Sequence, residues 1–198
     1  MRSLELFSGH GTVSDVLKSH NFETHSLDID DVHNPTMVQD ILTWDYTILP
    51  PYFFDFIWAS PDCTSWSIAT HKHRTLKEGL VPKTETAVIG EKLIHKTLEI
   101  IKYFNPKVWI IENPRGRLRH FSPMKQLPYR TTVYYSNYGF PVQKATDLWS
   151  NVKLWREKPK KGTIKWSNHV HNRSERSAIP KPLIEKIYSN TQSHLLQV

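Results

Sequence analysis

The chain holds one cysteine, Cys63, in the stretch Ala59-Ser60-Pro61-Asp62-Cys63-Thr64-Ser65-Trp66-Ser67. It follows the apolar run Phe53-Phe54-Asp55-Phe56-Ile57-Trp58, which reads as a buried strand. A strand that ends in Ser-Pro and then presents a thiol sets that thiol at the carboxyl edge of a sheet, where open α/β folds bind ligands. Free cysteine is more often an inert core residue, but proline and polar residues surround this one. A second apolar run, Lys107-Val108-Trp109-Ile110-Ile111, leads straight into Glu112-Asn113-Pro114-Arg115-Gly116. On a neighbouring strand, Glu112 would share the thiol's edge, although a glutamate there can also merely cap the next segment. Together the two groups make chemical sense: a thiolate attacks a ring carbon while a carboxyl offsets charge on a ring nitrogen.

Other elements must position that pair. Ser3-Leu4-Glu5-Leu6-Phe7 reads as a first strand and Ser8-Gly9-His10-Gly11-Thr12 as a tight loop. A helix follows from Val13 to Ser19, with Val13, Val16 and Leu17 inward and His20-Asn21 at its end. Strand, glycine loop and helix open a nucleotide-binding unit, because glycine lets the backbone approach a ligand closely. The next strand, Thr24 to Ile29, carries Asp28, placed to bind ribose hydroxyls; Asp30 is a cap or solvent residue. Met37 to Leu42 supplies Asp40, which either takes the amine of an adenine or caps a turn. The loop lacks the full GxGxxG of a pyrophosphate-binding dinucleotide site, which fits a ligand without phosphates such as S-adenosylmethionine. From Thr84 the spacing of Leu93, Ile94, Leu98, Ile101 and Phe104 predicts a helix stopped by Asn105-Pro106.

With 198 residues the chain suits one domain with a real core. One cysteine excludes an internal disulfide framework, and no apolar run approaches the ~20 residues of a membrane span. The expected class is therefore soluble and intracellular. Residues 1–62 carry ten acids against Arg2 and Lys18, a net −8, and the remainder carries +15, giving the overall +7. An acidic first third and a basic remainder suggest a small ligand for one and a polyanion for the other. The polar connection His71-Lys72-His73-Arg74, with Lys77 and Lys83, is read as a mobile loop over a nucleic-acid backbone; its histidines lack the partners of a metal site.

Phe7-x-Gly9-x-Gly11, Asp28, Asp40, Ser60-Pro61-Asp62-Cys63 and Glu112-Asn113-Pro114 resemble, in order, the motifs of C5-cytosine DNA methyltransferases. Leu4-Glu5-Leu6-Phe7-Ser8-Gly9, Trp44-Asp45-Tyr46 and Gly139-Phe140-Pro141-Val142-Gln143-Lys144 are similar to the short members encoded by large DNA viruses. Arg176-Ser177-Ala178-Ile179-Pro180-Lys181-Pro182-Leu183 looks like the family's last motif, which returns to the cofactor pocket. The resemblance implies a Rossmann-like α/β fold, a mostly parallel sheet of six or seven strands with helices on both faces, in a single catalytic domain over 1–198. It implies S-adenosylmethionine held by Phe7, Ser8, Gly9, Gly11, Thr12, Asp28, Ile29, Asp40, Ile41, Ser60 and Pro61. Cys63, Glu112 and Asn113 become the catalytic set, acting on a cytosine flipped out of double-stranded DNA in a nucleus or cytoplasm. Arg74, Arg115, Arg117, Arg119 and Lys144 become its nucleic-acid contacts.

Three departures accompany the resemblance. Asp62 stands where the family usually has a second proline, and a carboxylate there should raise the thiol pKa unless it points away. Gln143-Lys144-Ala145-Thr146 lacks the arginine expected to read the cytosine carbonyl, leaving Arg130 or Lys144 as substitutes. Only a short basic stretch, about 151–173, is available for target recognition, which implies a short recognised sequence or a partner that supplies specificity. The alternatives to a monomeric DNA enzyme are an inactive relative that binds S-adenosylmethionine or nucleic acid, and a methyltransferase acting on RNA.

Overall fold

A computed structural model describes residues 1–68, 72–75, 80–162 and 178–197. Seven strands form one sheet in the order β3-β2-β1-β4-β5-β7-β6. They are β1 (Arg2–Leu6), β2 (Glu23–Asp28), β3 (Met37–Val38), β4 (Phe56–Ala59), β5 (Val108–Pro114), β6 (Tyr129–Tyr134) and β7 (Ala145–Ser150). The first five are parallel; β7 runs antiparallel to β5, and β6 antiparallel to β7. The helices are α1 (Thr12–Ser19), α2 (Glu85–Phe104), α3 (Ser122–Lys125) and α4 (Lys181–Leu195). None of the described helices is long and apolar enough to cross a membrane.

Both faces of the sheet are covered, so its central strands read as continuous apolar runs rather than alternating ones. In β4 the pleat sends Phe56 and Trp58 into the layer with α1 and α4, and Ile57 and Ala59 into the layer with α2. β5 divides likewise: Val108 and Ile110 join the first layer, Trp109 and Ile111 the second. Continuing that alternation puts Glu112 toward the α1 and α4 side and Asn113 toward the other.

Helix α2 matches its expected span. The Thr84 hydroxyl accepts from the Ala87 N–H at 3.3 Å to cap its start, and Asn105, at φ 42°, ends it. Ile94, Ile101 and Phe104 are buried, with Leu93 and Leu98 partly buried against the same layer. Two expected strands are shorter than their apolar runs. Phe53 to Asp55 lie before β4, and the strand after Asn34 stops at Val38, where the Asp40 carboxylate caps a turn through the Leu42 N–H at 2.9 Å.

Strand order reverses between β1 and β4, and the chains leaving them diverge. Leu6 and Ala59 are the last paired residues, and the Ser60 N–H donates to the Leu6 carbonyl at 3.2 Å. Beyond that point Phe7-Ser8-Gly9 turns one way and Pro61-Asp62-Cys63 the other. The opening between them is the crevice the fold builds for a ligand.

Candidate active site

The crevice is a cleft of about 1430 Å³ lined by residues from both sides of the divergence. Small-molecule sites usually occupy ~300–1000 Å³, so there is room for more than one ligand. On the β1–β3 side Phe7, Ser8, Gly9, Thr12, Asp28, Ile29, Asp40 and Ile41 line it; on the β4–β5–β7 side Ser60, Pro61, Cys63, Glu112, Arg115 and Lys144 do. Of the nineteen residues the sequence brought forward, Gly11, Asn113, Arg74, Arg117 and Arg119 are outside its lining.

The first side is organised by backbone. Phe7 and Gly9 both adopt positive φ, 58° and 45°, and a Cβ on Gly9 would meet nothing within 4 Å. The Asp28 carboxylate accepts the Gly9 N–H at 2.8 Å and the Asp30 N–H at 3.1 Å, which ties the loop after β1 to the end of β2. The buried Ser8 hydroxyl has no hydrogen-bond partner among the described residues. Gly11, at φ 66°, is the N-cap of α1 and acts by shaping the turn. Ile29 stays 70% exposed at the rim, an apolar side chain left open to the crevice. Glu5, beneath the loop, went unnoticed in the sequence. Its carboxylate accepts the Ser14 N–H at 2.8 Å at the start of α1, and burial pushes its pKa up to about 7.

The second side is organised by side chains. Cys63 is half-buried at the start of a tight helical turn, Thr64–Trp66. Burial pushes its thiol pKa up, the Asp62 and Glu112 carboxylates push the same way, and the Lys144 ammonium opposes them. Asp62 lines the same cleft, where its two oxygens accept from the Thr64 N–H at 2.9 Å and the Thr64 hydroxyl at 2.8 Å. Its charge reaches the sulfur. Glu112 is 6% exposed, and burial raises its pKa against the Lys144 ammonium, the Tyr135 phenol and the Ser60 hydroxyl. The Trp58 indole N–H in turn donates to the Ser60 hydroxyl at 2.7 Å. Lys144 sits with Nζ 4.5 Å from the centre of the Tyr135 ring; burial lowers its pKa, while Glu112 and Cys63 hold it up.

Asn113 faces away from Glu112, and its amide donates to the Pro61 carbonyl at 2.8 Å. It fixes the loop that carries Cys63 and is a positioning residue. Gly116 keeps the two loops in contact, since a Cβ there would stand 2.5 Å from the Trp66 carbonyl oxygen.

The expected arginine contacts need correction at three positions. Arg74 is 1% exposed, stacked 3.5 Å from the Trp66 ring centre, and donates to the Ser65, Leu80 and Ala87 carbonyls and to Glu91. Arg117 is buried and donates to the Ser67 and Ile68 carbonyls. Arg119 forms a two-pronged ion pair with the fully buried Asp147. A guanidinium so engaged is structural and unavailable to a phosphate. Arg115 is exposed at the mouth of the cleft, and Lys144 lies inside it. Of the basic connection, residues 69–71 and 76–79, with His71 and Lys77, lie outside the described residues, as do 163–173 of the expected recognition segment and Arg176-Ser177 of the expected last motif.

Tyr135 was the other residue missed. It is fully buried, and its phenol donates to Glu112 Oε1 at 3.1 Å. The only sequence signal was a tyrosine close ahead of Gly139.

Comparison with known proteins bears on this geometry. The family described as C-5 cytosine-specific DNA methylase matches residues 1–126. A Frog virus 3 (isolate Goorha) protein described as a probable DNA (cytosine-5)-methyltransferase is 32% identical over 166 residues, covering 77% of this chain and 72% of that protein. Two solved structures share the fold at 16% identity. A protein of E. coli described as a putative DNA modification methyltransferase encoded within a prophage aligns with a TM-score of 0.53 over 76% of this chain and 46% of its own. The S. pombe Dnmt2 methyltransferase aligns with a TM-score of 0.51 over 79% and 51%. The chain thus spans about half the length of the solved structures it matches.

Proposed function

Because this chain belongs to the C-5 cytosine-specific DNA methylase family, we propose that it transfers a methyl group from S-adenosylmethionine to C5 of a cytosine in DNA. The observation that carries the reading is the single cleft in which a half-buried thiol and a buried carboxyl face the glycine loop and Asp28. The open half suits S-adenosylmethionine by the chemistry of its donors. Asp28 offers carboxylate oxygens to ribose hydroxyls, Phe7, Ile29 and Ile41 offer apolar surface to a purine, and Asp40 offers an acceptor to its amine. The unpartnered Ser8 hydroxyl and the empty space beside Gly9, with Thr12, Ser60 and Pro61, suit the amino-acid end. When bound, the cofactor supplies an electrophilic methyl group.

The protein's part is to make C5 nucleophilic. The Cys63 thiolate adds to C6, the C5=C6 electron pair moves to C5, and Glu112, whose pKa burial raises, acts in its protonated form as a donor to N3 to offset the developing charge. Lys144 takes the role left open between it and Arg130, a donor to the ring carbonyl, since Arg130 is exposed and donates to the Arg119 carbonyl. C5 then accepts the methyl group, loses its proton to solvent, and the C5=C6 bond reforms as Cys63 leaves. Flipping the base out of the stack costs a few kcal/mol, offset by phosphate contacts that Arg115 and the 151–162 segment can make. The chain acts as one catalytic domain, with recognition reduced to about 151–173 and specificity short or partner-supplied.

A non-catalytic reading has one observation in its favour, the raised thiol pKa with Asp62 beside it. One experiment separates the two: methylation mapping of DNA from cells expressing the chain or its Cys63→Ser variant. New 5-methylcytosine, lost in the variant, is expected. Cofactor binding with no methylation of DNA would leave the non-catalytic reading, and methylation of RNA alone would assign a different substrate.

A further inference from the structure

A protonated carboxyl carries its hydrogen on one oxygen or the other, and the choice decides which pyrimidine it fits. Cytosine presents an acceptor at N3 beside an amine donor, whereas uracil presents an N–H at N3 beside a carbonyl acceptor. A neutral Glu112 free to move its proton would suit both. The geometry around it removes that freedom. The Tyr135 oxygen stands 3.1 Å from Oε1, and a phenol's hydrogen bond favours the carbonyl oxygen of the acid, its better acceptor, over the hydroxyl oxygen. The phenol's one hydrogen is thereby committed to Glu112.

The ring is held as well. Phe140 packs against it edge-on at 5.8 Å, and Lys144 sits over its face. Burial and the neighbouring Glu112 keep the phenol well above its ordinary pKa, so it remains a donor across the working range. Cys63 and Lys144 face Glu112 from the loops after β4 and before β7, Ser60 from the end of β4 and Asp147 from within β7. Among these, Ser60 and Tyr135 are the hydrogen-bonding hydroxyls, and only Tyr135 is seen on a named oxygen.

We propose that Tyr135 is a specificity-determining positioning residue: its phenol confines the Glu112 proton to Oε2, the oxygen that meets N3, and so sets the pocket for cytosine against uracil. The proposal rests on the reading of Glu112 as the group that contacts the base. It predicts a base-selectivity change that loss of packing alone would not give.

The test uses the full chain and two duplexes that differ only in carrying 5-fluorocytosine or 5-fluorouracil at a methylated position, with S-adenosylmethionine present and covalent adduct formation timed. Tyr135→Phe keeps the ring, and should lower the cytosine-to-uracil rate ratio by about tenfold, the order expected when one buried hydrogen bond stops discriminating. Phe140→Leu, which removes the ring packed edge-on against the phenol, should lower the ratio less and in the same direction, and stands in if Tyr135→Phe does not fold. A ratio unchanged in the folded variant, with both rates lowered alike, would overturn the proposal and leave the methylation reading intact. No adduct from the unaltered chain on either duplex would instead remove the reading on which the proposal rests.

Discussion

The β1–β3 side of the cleft and its β4–β5–β7 side hold polar groups in opposite ways. On the first, carboxylates at the rim take up backbone N–H groups: Asp28 holds Gly9 and Asp30, and Asp40 holds Leu42. These side chains remain half-exposed, and the loop they shape leaves open space. On the second, Cys63, Glu112, Tyr135 and Lys144 are turned on one another, and burial displaces the pKa of every one. A rim in contact with water can bind and release a cofactor without large rearrangement. A buried cluster is costly to assemble, and each member's protonation depends on the rest. On the proposed function the contrast would separate binding from chemistry, and substitutions on the two sides should separate the same two quantities.

The largest effect is expected on the buried side. Glu112→Gln should lower single-turnover methyl transfer by roughly 10²–10³-fold, the usual cost of one donor aimed at developing charge, while a calorimetric cofactor titration stays within about twofold. A rate within a few-fold of the unaltered chain would remove Glu112 from the chemistry. Asp28→Ala should do the reverse, weakening cofactor binding by about tenfold or more through a lost charged hydrogen-bonding group, with little change in rate at saturation. If saturating cofactor failed to restore the rate, the division between the two sides would blur.

Asp62→Asn tests the boundary between them with a smaller effect. Asn can still cap the Thr64 turn, but the charge that helps raise the thiol pKa is gone. The Cys63 pKa should fall, so the rising limb of the pH–rate profile moves to lower pH, and the rate below that limb increases about two- to tenfold. An unmoved limb would mean that the thiol is not the group titrating there.

The two sides were also unequally legible in the sequence. Strand periodicity and loop residues located Phe7, Gly9, Asp28, Cys63 and Glu112, because each lies at the end of an apolar run and the parallel order brings those ends to one edge. The resemblance offered Arg74, Arg117 and Arg119 as nucleic-acid contacts, but a cation's place in the sequence carries no direction for its side chain. The carbonyls that engage Arg74 come from Ser65, Leu80 and Ala87, a convergence that exists only after folding. Arg119 left a signal: Asp147 interrupts the apolar strand Ala145–Ser150, and a carboxylate fully buried there requires a cation partner. Lys144 was brought forward only through the resemblance, and Tyr135 was missed, since both enter the site through the antiparallel return of β6 and β7.

The most direct measurement is the mass of the protein after incubation with S-adenosylmethionine and a duplex containing 5-fluorocytosine, followed by peptide mapping. Replacing the C5 hydrogen with fluorine blocks release of the thiol, so the account requires a stable protein–DNA adduct, methylated at C5, mapped to Cys63. A cofactor-bound, folded chain that forms no adduct, or forms one at any other residue, would contradict it.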